Sequence, residues 1–212
     1  TALRTYYPGK RTEAAYDDAF GKELAKEFGE LLDGSEVASR LFAMDIFLPL
    51  AHTVQRIESL FKKGLPPLPP LLEAVSLDPT SAVRVLAISN SAAYGFARRV
   101  DNLPSAMAFL GANATKDAIG ADGSADYFAN QSFDFKALWR KSHFCALAAR
   151  AIATMCDNPR AVTAQSAALL LDIGRLALVT LLPNSYVAVT KNALGRALHA
   201  IEEKAFGIGH AE

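Results

Sequence analysis

The chain is poor in the residues from which redox and metal centres are usually built. Its 212 residues include two cysteines, four histidines, three methionines and one tryptophan. Cys145 and Cys156 fall in one helical stretch, where a rise of ~1.5 Å per residue puts them ~16 Å apart, beyond disulfide reach. Reduced, buried thiols are expected. Charge bias is also missing. The 22 Lys plus Arg balance 22 Asp plus Glu, which leaves no general field to gather nucleic acid or anionic lipid. Asp172 and Arg175 interrupt the longest apolar run, so a membrane span is not expected. TALRTYYPGK at the start lacks the apolar core of a signal peptide, and a cytoplasmic location is expected. Apolar–polar alternation between hairpin turns is absent too, which excludes a sheet-based fold.

What is present is helical patterning in a chain that is 51% hydrophobic and 21% charged, a globular composition. Tyr16, Phe20, Leu24, Phe28 and Leu31 form one stripe and predict a helix over 12–32. A second helix runs to Phe61 through Val37, Leu41, Met44, Phe47, Val54, Ile57 and Leu60, kinked or split at Pro49. Four prolines in 65–70 predict an extended, polyproline-like segment, read as a strap between helical units rather than a ligand for an SH3-type or WW-type groove. Further helices are expected from Ser81 to Tyr94, from Pro104 to a stop at Gly111, over 133–156, and over 184–206 with Gly207 and Gly209 closing the last. The stretch 120–131 reads as a loop. The fold class is all-α.

The stretch AALLLDIGRLAL, 167–178, reads as one apolar helix with a single carboxylate, Asp172, set among leucines. An ionised carboxylate is costly to bury without a partner, so Asp172 must have a cation or a metal beside it.

Several segments in order resemble the HDOD domain, a bacterial relative of the metal-dependent HD phosphohydrolases. They are LPPLPP at 65–70, RVLAISNSAAYG at 84–95, Leu110-Gly111, FDFKALWRKS at 133–142, LLLDIGRLAL at 169–178 and GIGHAE at 207–212. The resemblance implies a multi-helix bundle over 64–212, preceded by a helical extension over 1–63, and a role in bacterial signalling. It also marks three departures: the chain is shorter than the family pattern near Glu73 to Asp78, abbreviated after Ala118, and stops at Glu212 where the pattern continues.

HD enzymes hold divalent metal with histidines and aspartates on neighbouring helices, because several ligands must converge before a metal can activate water. In this chain the residue before Asp172 is Leu171, and the histidine expected in the LWRHS-like segment is matched by Lys141. The resemblance therefore leaves Asp172 and His210 from the ancestral set, too few for a catalytic ion. His210 has a second reading, as a helix-start residue exposed to water. His143 projects from nearly the opposite helix face to Lys141, and His52 and His199 read as structural, with no ligand partner at helical spacing.

Two cations compete for Asp172. Lys141 is placed by the resemblance across the same pocket; Arg175 lies three residues on along the same helix. The candidate site residues are thus Lys141, Asp172, Arg175 and His210, with no catalytic residue, metal or cofactor expected. The resulting expectation is a non-catalytic signalling module that binds a protein partner or a small ligand, without nucleic acid or membrane, and with homodimerisation open. The alternative is a metal-dependent HD-type phosphohydrolase with a rearranged site.

Overall fold

The computed structural model describes residues 47–94, 99–120, 124–127, 133–192 and 197–211. The helix expected over 12–32 and the start of the next one lie outside the described residues. Within them the chain is all-α, with one isolated parallel bridge, Leu50 to Ala125, in place of any strand.

Pro49 precedes a helix rather than kinking one. Its carbonyl accepts the Ala125 N–H at 2.9 Å, and α1 (Ala51–Phe61) starts just after this clasp. The polyproline expectation holds only to Pro67 (φ −65°, ψ 154°); from Leu68 the chain is helical, as α2 (Leu68–Ser76). Pro69 and Pro70 fit there because the first turn has no intrahelical use for their missing N–H groups. This helix fills much of the stretch that the sequence marked as abbreviated.

Asp78 caps α3 (Pro79–Ser89). Its fully buried carboxylate accepts from Leu50 N–H at 2.8 Å, Ser81 Oγ at 2.8 Å, Thr80 N–H at 3.0 Å and Thr80 Oγ1 at 2.5 Å. One side chain thereby fixes the entry to α1 against the start of α3. The RVLAISNSAAYG segment is structural in the same manner. Arg84 Nε donates to the Ala118 carbonyl at 2.9 Å, and the Asn90 side chain both accepts from Val100 N–H and donates to the Val100 carbonyl, pinning the return of the chain. A 3₁₀ turn, Ala92–Tyr94, follows α3.

Gly111 does interrupt a helix, at φ 73° and ψ 172°, yet α4 (Leu103–Gly120) resumes beyond it. Ala112, Thr115, Ala118 and Ile119 supply the reason, for they are all buried. Next comes α5 (Phe135–Met155), capped by Asp134, whose Oδ1 accepts from Ala137 N–H at 2.9 Å. Cys145 and Cys156 are both free thiols. Cys156 ends α5 and is exposed, which corrects the expectation of two buried thiols.

The apolar stretch around Asp172 is two helices, α6 (Ala161–Leu169) and α7 (Ile173–Leu181), not one. Between them the hydrogen bonds tighten to i→i−3, from Leu170 to Ala167, Leu171 to Ala168 and Ile173 to Leu170. By length and composition alone Ala161–Leu181 could cross a bilayer, so the two charges do not exclude that on sequence grounds. In the fold it supplies Leu169, Leu176, Ala177, Leu178 and Val179 to the interior, as core helices do. Of the last expected helix, the described residues give α8 (Pro183–Asn192) and α9 (Ala197–Phe206).

Two apolar cores result. One gathers Leu50, Phe133, Phe135, Leu138, Trp139, Leu176, Tyr186 and Phe206, with ring centroids 4.9 Å apart for Phe133 and Phe135 and 6.2 Å for Tyr186 and Phe206. The other gathers Ile57, Leu71, Val75, Val85, Met107, Ile119, Ala146 and Leu169 from α1 to α6.

Candidate functional site

The break between α6 and α7 places Asp172 at the first corner of α7, in a conformation (φ −103°, ψ 14°) from which its side chain makes no capping bond. A capping aspartate normally accepts the N–H of the second or third helical residue. Here the carboxylate is turned across the bundle instead. Oδ2 lies 2.7 Å from Lys141 Nζ on α5, and Oδ1 lies 3.6 Å from Nε2 of His210. The Asp172 side chain is 4% exposed and that of Lys141 is 51% exposed, so a buried anion is met by an ammonium that reaches in from the surface. Leu171 turns outward and is 56% exposed.

Arg175 does not compete for this carboxylate. Its Nε donates to Tyr186 Oη at 3.1 Å, and its guanidinium stacks over Phe133 at 5.5 Å from the ring centroid. The four residues singled out from sequence are thus brought to one region: Lys141 and His210 stand at the carboxylate of Asp172, and Arg175 joins through Tyr186 and Glu202. His210 is 15% exposed through its side chain, which removes the reading of it as a water-exposed helix start.

The sequence reasoning missed the group that holds His210. Glu202 on α9 is fully buried. Its Oε2 accepts the His210 backbone N–H at 2.9 Å and contacts His210 Nδ1, while Oε1 accepts the Tyr186 hydroxyl at 2.6 Å. A continuous polar chain therefore runs Lys141, Asp172, His210, Glu202, Tyr186, Arg175. Burial, opposed by the charge of Arg175 and assisted by the bond to Glu202, pushes the Tyr186 hydroxyl far above its ordinary value and keeps it a neutral donor.

His199 also departs from its expected isolation. It stands one helical turn before Glu202, its ring meets His210 edge to face at 5.9 Å, and donor atoms of His199, Glu202 and His210 lie within 4.8 Å of one another. The available signals were a His and a Glu at i, i+3 and the glycines of GIGH, which let the chain double back. A Cβ at Gly209 would sit 2.1 Å from His199 Nδ1, and one at Gly174 would sit 2.1 Å from the His210 carbonyl oxygen. Both glycines are needed for the loop 207–210 to press between α7 and α9. His143, by contrast, is remote from this chain of contacts and lies 2.9 Å through Nε2 from the Leu77 carbonyl oxygen.

Comparison with known proteins agrees with the helical arrangement. The MmoQ response regulator from Methylococcus capsulatus str. Bath superposes with a TM-score of 0.68 at 27% identity, covering 78% of this chain and 66% of that one. A virulence factor from Campylobacter jejuni subsp. jejuni superposes with a TM-score of 0.67 at 19% identity, covering 84% of this chain and 65% of that one, a likeness of fold. The chain therefore spans just under two thirds of the length of each. No curated protein matches it in sequence. A family model, that of the HDOD domain, matches residues 48–212, well over half of the sequence, and the chain belongs to that family.

Proposed function

We propose that this HDOD domain is a non-catalytic signal-transduction module, acting in the cytoplasm through a protein partner or a small ligand. The observation that carries the reading is the Lys141 ammonium 2.7 Å from Asp172 Oδ2. A carboxylate that would ligate a metal in an HD enzyme is here neutralised by a fixed cation, and a lysine repels a divalent ion from the same place. The similarity to a response regulator supports a setting in signalling. Membrane and nucleic acid are not part of the reading, and a homodimer is compatible with it.

A second reading, an HD-type phosphohydrolase with a rearranged site, is favoured by one observation: His199, Glu202 and His210 cluster next to Asp172. The two differ in turnover. The purified chain is assayed against bis(p-nitrophenyl) phosphate and cyclic dinucleotides with Mn²⁺, Mg²⁺ or Zn²⁺ added. The proposal expects no turnover above the metal blank. Turnover abolished by Asp172→Asn would reverse the choice.

A further inference from the structure

We infer that His199, Glu202 and His210 form a site for one divalent transition-metal ion of the Zn²⁺ class, distinct from the place that Lys141 occupies beside Asp172. Three features of the fold support it. Ligand atoms from the three side chains already lie within 4.8 Å of one another. A Zn²⁺ ion bonded at ~2.1 Å to each would set them roughly 3.4 Å apart in tetrahedral geometry, so loading takes side-chain shifts of about an ångström. Second, His199 Nδ1 is buried without a hydrogen-bond partner, an orphan that a protein interior rarely tolerates unless an ion or water completes it.

The third feature is that the groups behind the ligands are already in place. A ligating histidine is usually oriented by a carboxylate on its other ring nitrogen. His210 presents Nδ1 to Glu202 and Nε2 to Asp172 Oδ1, 3.6 Å away. With the metal at Nδ1, the ring proton resides on Nε2 and faces that carboxylate. Glu202 is oriented from behind by the Tyr186 hydroxyl on Oε1 at 2.6 Å, itself held by Arg175. Two imidazoles and one carboxylate suit Zn²⁺, Co²⁺ or Ni²⁺ and disfavour Mg²⁺ and Ca²⁺, which require oxygen shells. The ion would tie α9 to the loop 207–210 in a module that does no hydrolysis, so the site goes beyond the function proposed above and its loss would leave that reading standing.

The test uses the tag-free chain stripped with chelator and titrated with Zn²⁺ or Co²⁺ alone. One equivalent is expected to bind, with a Co²⁺ visible band, a rise in melting temperature on Zn²⁺ addition, and no phosphodiesterase turnover. His199→Ala should weaken binding at least tenfold, and His143→Ala, at a histidine held at the Leu77 carbonyl away from the cluster, should leave it unchanged. Should His199→Ala not fold, X-ray absorption of the Zn²⁺-loaded wild-type chain reads the shell directly, with two imidazoles expected. No bound equivalent, an absorption shell without two imidazoles, or binding that ignores His199 but is enhanced by Lys141→Ala would each overturn the inference, the last by placing the ion beside Asp172.

Discussion

Lys141→Ala removes the cation from a carboxylate that is 4% exposed, and the cost can be worked from the geometry. At 2.7 Å two unit charges attract by roughly 6 kcal/mol at an effective dielectric of about 20, and by about 1.5 kcal/mol in water. Lysine is half in solvent, so much of the attraction is screened, and its removal leaves an anion that is costly to keep unpaired. A net destabilisation of about 2 kcal/mol is expected, equivalent to a fall in melting temperature of about 4–8 °C for a chain of this size. Urea unfolding followed by circular dichroism measures it, with Asp172→Asn and the double variant completing a cycle. The double variant should recover about 1.5 kcal/mol relative to the sum of the singles, because removing the charge removes the need for its partner. Replacing both by apolar residues of similar volume should be neutral or stabilising. A single-variant loss below about 0.5 kcal/mol, or strict additivity in the cycle, would refute the claim that Lys141 is the counter-charge of Asp172.

Two further outcomes follow from buried polar groups. Asp78→Ala deprives four donors of their acceptor and should cost about 3 kcal/mol or more, read by urea denaturation, with Asp78→Asn recovering part of it. Tyr186 has a folded-state value raised above its unfolded one, so its contribution is present below about pH 10 and is lost as pH climbs beyond that toward the folded value. Tyr186→Phe should flatten that alkaline loss while lowering stability near neutrality by about 1–3 kcal/mol, since Glu202 Oε1 loses its donor. A melting-temperature profile from pH 7 to pH 11 that is parallel in both proteins would contradict this.

The helices were legible where the apolar periodicity is strong, as over 133–156, where α5 runs from Phe135 to Met155; the caps that start them, Asp78 and Asp134, were not read from the sequence. Helices were misread where punctuation and packing disagree. Proline at 69 and 70 signals extended chain, yet the first turn of a helix accepts it; Gly111 signals an end, yet the buried residues after it continue the helix. The break at 170–172 has no local mark at all in a run of leucines, because what stabilises it comes from α5 and from the loop at His210. The pairing of Lys141 with Asp172 was accessible because a buried charge demands an opposite one and the family resemblance placed Lys141 across the same pocket. Glu202 was not, since nothing in its sequence neighbourhood shows that it is buried. Only the fold of GIGH back over α9 supplies its partners.

One arrangement in the bundle carries a mechanical meaning. Helix α5 contributes Phe135, Leu138 and Trp139 to one apolar core and Ala146 to the other, and the chain at 170–172 likewise passes from Leu169 in the second core to Leu176 in the first. Lys141 and Asp172 join these two crossing points to each other, on the seam rather than inside either core. The ion pair thus braces the two cores against each other where they meet. Loosening the pair would slacken the packing of both cores at once, because the two segments that it joins each contribute to both.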